Sequence, residues 1–246
     1  MICLLKFTKT MFSVFNSTSK KSKLIAVLGP DGSGKTTFIN ELLIGINSIF
    51  ISQGRIRKYH FKPSFLPDLS RIVKKVGIKV EEIDIAKPHA LKPANKMSSF
   101  LRLCYYWIDY AFLVPGIKWK SARHNHFVIF DRYAYDFLVD PIRSRIKSPD
   151  WIRKLMLRIT PKPDITFALI ANPEAIHLRK KELTTDEITR QNEELKKLSE
   201  QYPNFFILNA NKSPEEVAKQ AIIILWDQYR YSNGLPELRM VDRYGS

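Results

Sequence analysis

Two cysteines, Cys3 and Cys104, are all that this chain of 246 residues contains. That number excludes a disulfide framework and a four-thiolate zinc site, so a reducing compartment, the cytoplasm, is expected. His60, His89, His124, His126 and His177 stand at no ligand spacing from the cysteines, and no zinc centre is expected. There is no run of 18 apolar residues. The best candidate, Phe100–Val114, is broken by Arg102 and Asp109, so no helical bilayer span is expected. Repeats and low-complexity blocks are also absent. Residues 1–22 have neither a continuous apolar core nor a small-residue cleavage site, and read as a frayed or docked leader rather than a signal peptide. Acidic residues are scarce, 24 against 40 basic ones, for a net charge of +16. The excess is +7 in residues 1–60, +7 in 61–150 and +2 in 151–246. A basic first half fits polyanionic company: nucleotide phosphates, nucleic acid or an anionic membrane surface.

What is present is ordinary for a globular α/β domain: 45% hydrophobic and 26% charged residues, which excludes wholesale disorder. Lys23–Gly29, His126–Tyr133, Asp164–Ile170 and Asn204–Ala210 are short apolar runs that read as buried parallel strands, with Arg55–Phe61 a weaker one. Helices are expected over Thr36–Ile46, Met97–Val114 (ended by Pro115-Gly116), a further short piece through Arg123, and Pro149–Ile159. Two more are expected within Pro173–Gln201, joined near Leu183–Thr185, and a last one from Ser213 to about Tyr229. Residues 62–96, punctuated by four prolines, read as an irregular connection. Strands alternating with helices imply a doubly wound parallel sheet, with ligands beyond the carboxyl ends of the strands.

One strand end carries the sharpest signal. Gly29-Pro30-Asp31-Gly32-Ser33-Gly34-Lys35-Thr36 fits G-x-x-x-x-G-K-[ST] between a strand and a helix. Its glycines let the backbone wrap phosphate closely, and the N–H groups of the loop and of the helix start face the anion. Lys35 is expected to reach the β- and γ-phosphates of ATP, and the Thr36 hydroxyl to hold Mg²⁺; Thr37 completes the cofactor-binding loop. Val128-Ile129-Phe130-Asp131 is an apolar run ending in acid. Asp131 is placed to orient a metal-bound water or receive a proton, and Arg132 to bind phosphate.

Gly29–Thr37, Phe130–Tyr133 and Arg179–Gln191 together resemble the thymidylate kinase family of P-loop nucleoside-monophosphate kinases, over roughly residues 22–230. The resemblance implies a five-stranded parallel sheet in the order 2-3-1-4-5. It implies a kinase domain over 23–230 with a helical lid near 174–201, and a polar tail over 231–246. Asp31 would face the acceptor, Asp131 and Arg132 would lie at the acceptor phosphate and the metal, and Arg179 and Arg190 would close over the transferring group. The implied activity is transfer of the ATP γ-phosphate, with Mg²⁺, to dTMP or a related nucleotide.

The acceptor side departs from that pattern. His60-Phe61-Lys62-Pro63-Ser64 replaces an arginine-bearing motif after the second strand, and Tyr105, Tyr106 and Trp107 replace small side chains that leave room for a base. A poor dTMP site is therefore expected. A surface-glycan or lipid-linked acceptor and a regulatory P-loop ATPase are the alternatives. Tyr106 and Tyr110 share one helical face and line either an acceptor slot or the core. Asp109 faces either a cleft or the interior. Asp136 and Asp140 share one face and read as a solvated pair, with a shared metal as the weaker alternative, and Arg143, Arg145 and Lys147 read as a bare basic patch, with contact to anionic lipid or a glycan phosphate as the weaker alternative. A small phosphate-bearing or hydroxyl acceptor is the expected partner beside ATP, with a homodimer left open, no nucleic acid, and membrane contact through the basic half as the weaker alternative.

Overall fold

The structure, a computed structural model, describes residues 23–49, 56–60, 96–124, 126–143 and 146–232. The readings of a leader, of an irregular connection over 62–96 and of most of the tail lie outside them. Five strands, β1 (Lys23–Leu28), β2 (Arg57–His60), β3 (Phe127–Asp131), β4 (Ile165–Ile170) and β5 (Phe205–Asn209), form one parallel sheet in the order β2-β3-β1-β4-β5. This is the order the sequence implied.

Side chains of β1 alternate between two cores. Leu24, Ala26 and Leu28 join Val128 and Phe130 of β3 on one face, while Ile25 and Val27 join Ile129 and Phe167 on the other. Both faces are covered, so Leu24–Leu28 and all of β3 are buried and the runs read as continuously apolar. Helices α1 (Lys35–Ile49) and α7 (Pro214–Ser232) pack on the second face. The first face is covered by α2 (Lys96–His124), α3 (Asp136–Val139), α4 (Asp150–Ile159) and α6 (Thr185–Gln201), with α5 (Pro173–Arg179) beside the strand ends.

Two helical readings are corrected. Pro115-Gly116 does not end a helix: α2 continues through Pro115 to His124. Proline removes one backbone donor and normally breaks a helix. Here Leu103, Tyr110, Val114 and Ser121 fall on one buried face before and after it, and that shared burial carries the helix through. The one-turn helix α3, absent from the sequence reading, follows Arg132 directly in space and is buried along its whole length.

The charged stretch Pro173–Gln201 divides into two helices where expected. Asn172 caps α5 by accepting from Glu174 N–H at 2.9 Å, and Thr184 caps α6 by accepting from Glu187 N–H at 3.3 Å. Ser213 and Glu216 form a reciprocal capping box at α7, each bond 3.3 Å long. No helix among the described residues is long and apolar enough to cross a membrane.

The α1–α7 contact depends on one glycine. A Cβ built at Gly45 would stand 2.0 Å from Ile222 Cδ1. Gly45→Leu is expected to lower the unfolding free energy by about 1–3 kcal/mol in urea denaturation. Ile222→Ala in the same chain should restore part of that loss, a coupling that a double-mutant cycle reads. Strictly additive losses would show that α7 is not pressed against Gly45.

Candidate active site

The carboxyl ends of β1 and β3 converge. Register sets Val27 opposite Asp131, and the next residue continues the ladder, Arg132 N–H donating to Val27 O at 2.8 Å. The loop after β1 therefore lies beside the acid and the base that end β3. Gly29, Gly32 and Gly34 hold φ of 147°, 89° and 87°. At Gly29 a Cβ would also meet Leu169 O at 2.7 Å, so glycine is required there by conformation and by space.

Lys35 is buried within the loop. Its ammonium donates to Gly29 O at 2.8 Å and Pro30 O at 2.7 Å and stands 3.7 Å from Asp31 Oδ1. Burial, with the neighbouring Arg132 charge, lowers its pKa to about 7, against the opposing pull of Asp31, Asp136 and Asp131. The Ser33 hydroxyl is buried in the same loop and lacks a hydrogen-bond partner. Gly34, Thr36 and Thr37 are exposed at the start of α1.

Asp131 is held beside β2, where register sets His60 opposite it, with His60 Nδ1 and Asp131 Oδ2 3.3 Å apart. Burial alone would raise the carboxyl pKa. The His60 hydrogen bond and charge, with Lys35 and Lys58, outweigh burial and hold it below the usual carboxylate range. The other oxygen, Oδ1, is buried without a hydrogen-bond partner. Asp131 and the Thr36 hydroxyl are the groups suited to hold Mg²⁺.

Arg132 is a deeply enclosed charge of the site. Its side chain is 2% exposed, and its two terminal nitrogens donate to Asp31 Oδ1 at 2.5 Å and Asp136 Oδ2 at 2.8 Å. Burial opposes its charge, but Asp136 and Asp31 together drive its pKa above the ordinary arginine value. Its φ of 75° is the one left-handed non-glycine conformation among the described residues.

The structure corrects the solvated reading of Asp136 and Asp140, since both are buried. Asp136 pairs with Arg132, and Asp140 Oδ1 accepts the Arg143 N–H at 3.1 Å. It also corrects the reading of Arg143 as bare surface: a terminal nitrogen donates to Asp31 Oδ2. Lys147 is exposed as expected. Tyr110 belongs to the core, Tyr106 stacks on Phe137 with ring centroids 5.9 Å apart, and Asp109 is buried. The Tyr133 hydroxyl donates to Pro161 O at 2.6 Å, a structural bond behind the site.

Arg179 and Arg190, expected in a lid, are placed differently. Arg190, on α6, pairs with Glu187 and donates to Val139 O at 2.7 Å, which brings it to the end of α3. Arg179 stands exposed at the end of α5. His60 and Arg143 are the site residues that the sequence reading missed. His60 was in reach, at a strand end where ligands are expected, but its partner depended on the β2–β3 register. Arg143 was legible only as one member of a basic patch, and its pairing with Asp31 depended on tertiary structure.

No protein-family model matches the chain. A probable thymidylate kinase 1 of Saccharolobus solfataricus is 26% identical over 218 residues, which span 82% of this chain and 96% of that protein. A thymidylate kinase of Prochlorococcus marinus strain MIT 9312 is 29% identical over 180 residues, 68% of this chain and 75% of its own length. A solved thymidylate kinase of Ehrlichia chaffeensis matches with a TM-score of 0.54 at 17% identity, covering 83% of this chain and 99% of that one, a likeness of fold. The sheet order and the strand–loop–helix at its centre are those of the P-loop kinase fold. The chain is thymidylate kinase-like in sequence and in fold.

Two measurements follow from the charges. Asp136→Ala leaves Arg132 buried with one carboxylate, and should cost about 3–5 kcal/mol of unfolding free energy. A loss below about 0.5 kcal/mol in urea denaturation would restore the solvated reading.

For Lys35, the folded pKa of about 7 lies below the ordinary 10.5. Between those values the unfolded chain holds a proton that the folded chain lacks, so stability rises with pH across that window. Below about pH 7 both states are charged and the cost of burying the ammonium is complete. Lys35→Met removes that cost. Its stability gain over the wild type should be largest near about pH 6.5 and shrink toward about pH 9.5. A difference independent of pH would mean that Lys35 stays charged throughout.

Proposed function

We propose that the protein transfers the γ-phosphoryl group of ATP to a small acceptor, with dTMP or a related nucleotide as the first acceptor to test. The observation that supports this most is the meeting, at two adjacent strand ends, of a complete phosphate loop and an ionised carboxylate with one unpartnered buried oxygen. The residues present suit the cofactor. The orphaned Ser33 hydroxyl lies in a loop with three left-handed glycines at a helix start, which fits a polyphosphate. Asp131 and Thr36 supply hard oxygen ligands that fit Mg²⁺.

ATP with Mg²⁺ supplies the transferable phosphoryl group when bound. The backbone from Gly29 to Thr37 wraps its phosphates. Lys35 turns from the carbonyls of Gly29 and Pro30 to the phosphate oxygens, which restores full charge to an ammonium that burial has weakened. Asp131, held ionised, would with Thr36 hold the Mg²⁺. Arg132 positions Asp31 and Asp136, and adds positive charge beside the acceptor. Arg190 and Arg179 close from the lid. Catalysis comes from positioning and charge neutralisation, with no covalent intermediate.

A non-nucleotide acceptor, such as a phosphorylated sugar or lipid-linked intermediate, is the second reading. It is favoured by His60 at the end of β2 and by bulky Tyr105 and Tyr106 on α2.

The deciding experiment measures acceptor-dependent ADP release with dTMP, other nucleoside monophosphates and sugar phosphates, using Lys35→Ala as control. The variant should fall below about a tenth of wild-type turnover, because a phosphate clamp is worth several kcal/mol of barrier. ADP release indifferent to every acceptor would favour an ATPase. A kcat/KM for dTMP on the order of 10⁵ M⁻¹s⁻¹ or more would retire the second reading.

A further inference from the structure

Arg132, the arginine expected at the acceptor phosphate, has both terminal nitrogens committed to buried carboxylates. Turning it toward an acceptor would take from the buried Asp136 its ion-pair partner, which is costly. His60, at the end of β2, is engaged with Asp131. A different cation is available. The Arg143 side chain keeps 23% exposure while one of its terminal nitrogens donates to Asp31 Oδ2. Its backbone is anchored, because its N–H donates to Asp140 Oδ1 at 3.1 Å.

Its position relative to the donor lysine is set by a single carboxylate. Asp31 Oδ1 lies 3.7 Å from Lys35 Nζ, and Oδ2 receives Arg143. An anion held by Arg143 is therefore one carboxylate away from the group that clamps the donor phosphates. Exchange is also inexpensive. When Arg143 leaves Asp31 for another anion, Asp31 keeps Arg132 at 2.5 Å and is not left unpaired. A doubly charged phosphate that accepts two parallel N–H bonds outcompetes one oxygen of a carboxylate already shared.

We propose that Arg143 is the acceptor-side anion contact, a specificity residue that takes the phosphate of a phosphomonoester acceptor in exchange for Asp31. This rests on the kinase reading above, and it assigns to the acceptor a phosphate group rather than a bare hydroxyl.

The test is equilibrium binding by calorimetry on the full chain, with dTMP, glucose 1-phosphate, thymidine and ATP as separate probes. The proteins are wild type, Arg143→Gln and Arg143→Lys, with circular dichroism to verify folding. The wild type should bind at least one of the two phosphomonoesters. Arg143→Gln should weaken that binding about 10- to 100-fold, as expected for one charge-assisted contact, and Arg143→Lys should recover part of it. Affinity for ATP should stay within about threefold, and thymidine should not distinguish the variants. Unchanged phosphomonoester affinity in a folded Arg143→Gln, or an equal loss of ATP affinity, overturns the assignment. So does a wild type that binds ATP and neither phosphomonoester, an outcome that leaves the kinase reading standing. A wild type that binds no ATP removes the kinase reading, and this inference with it.

Discussion

The burial of one guanidinium, Arg132, organises the ligand end of this molecule. An arginine 2% exposed is tolerated only where its charge is met, and here Asp31 of the phosphate loop and Asp136 of α3 meet it from two sides. The turn after β1 is thereby tied to a distant stretch of chain, the end of β3 and the one-turn helix that follows it. The left-handed backbone at Arg132, φ 75°, costs on the order of 1–3 kcal/mol and is held by its ladder bond to Val27 and by the two ion pairs. Removing either carboxylate therefore acts both on stability and on the shape of the loop that holds Lys35.

The same chain of charges reaches α6. Asp140 follows α3 and anchors Arg143, and Val139 of the same helix accepts from Arg190 of α6. At the other side of the loop, a Cβ at Gly32 would come within 3.2 Å of Ile176 and Lys180, so the phosphate loop and α5 are in contact. Asn192 of α6 donates to Ala171 O at the end of β4 at 3.0 Å, a further tie between this helix and the sheet. Packing therefore links α5 to the loop, and Arg190 links α6 to the end of α3.

Much of the fold was readable along the chain because its causes are local. Continuous apolar runs such as Leu24–Leu28 and Phe127–Phe130 mark strands buried on both faces, and Asn172, Thr184 and Ser213 mark helix starts by hydrogen bonds that span only two or three residues. The phosphate loop was readable for the same reason, since its glycines, Lys35 and Thr36 are contiguous. Pro115 was misread because the force that carries α2 past it is burial of Tyr110, Val114 and Ser121 against other elements.

The sequence by itself determined the parallel α/β class, the strand order through its resemblance, the glycine-rich loop after β1 and the acid that ends β3. Tertiary structure alone decided which charges meet. Asp31 and Arg132 are 101 residues apart and Asp31 and Arg143 112 apart, and no periodicity or spacing links them. His60 finds Asp131 across 71 residues only through the register of two strands. Asp136 and Asp140, which local spacing reads as a solvated pair, are buried because the turn at Arg132 folds them beneath the phosphate loop and beside its cations. Charge pairing acts through space, and the chain's order holds no record of it until the strands are aligned.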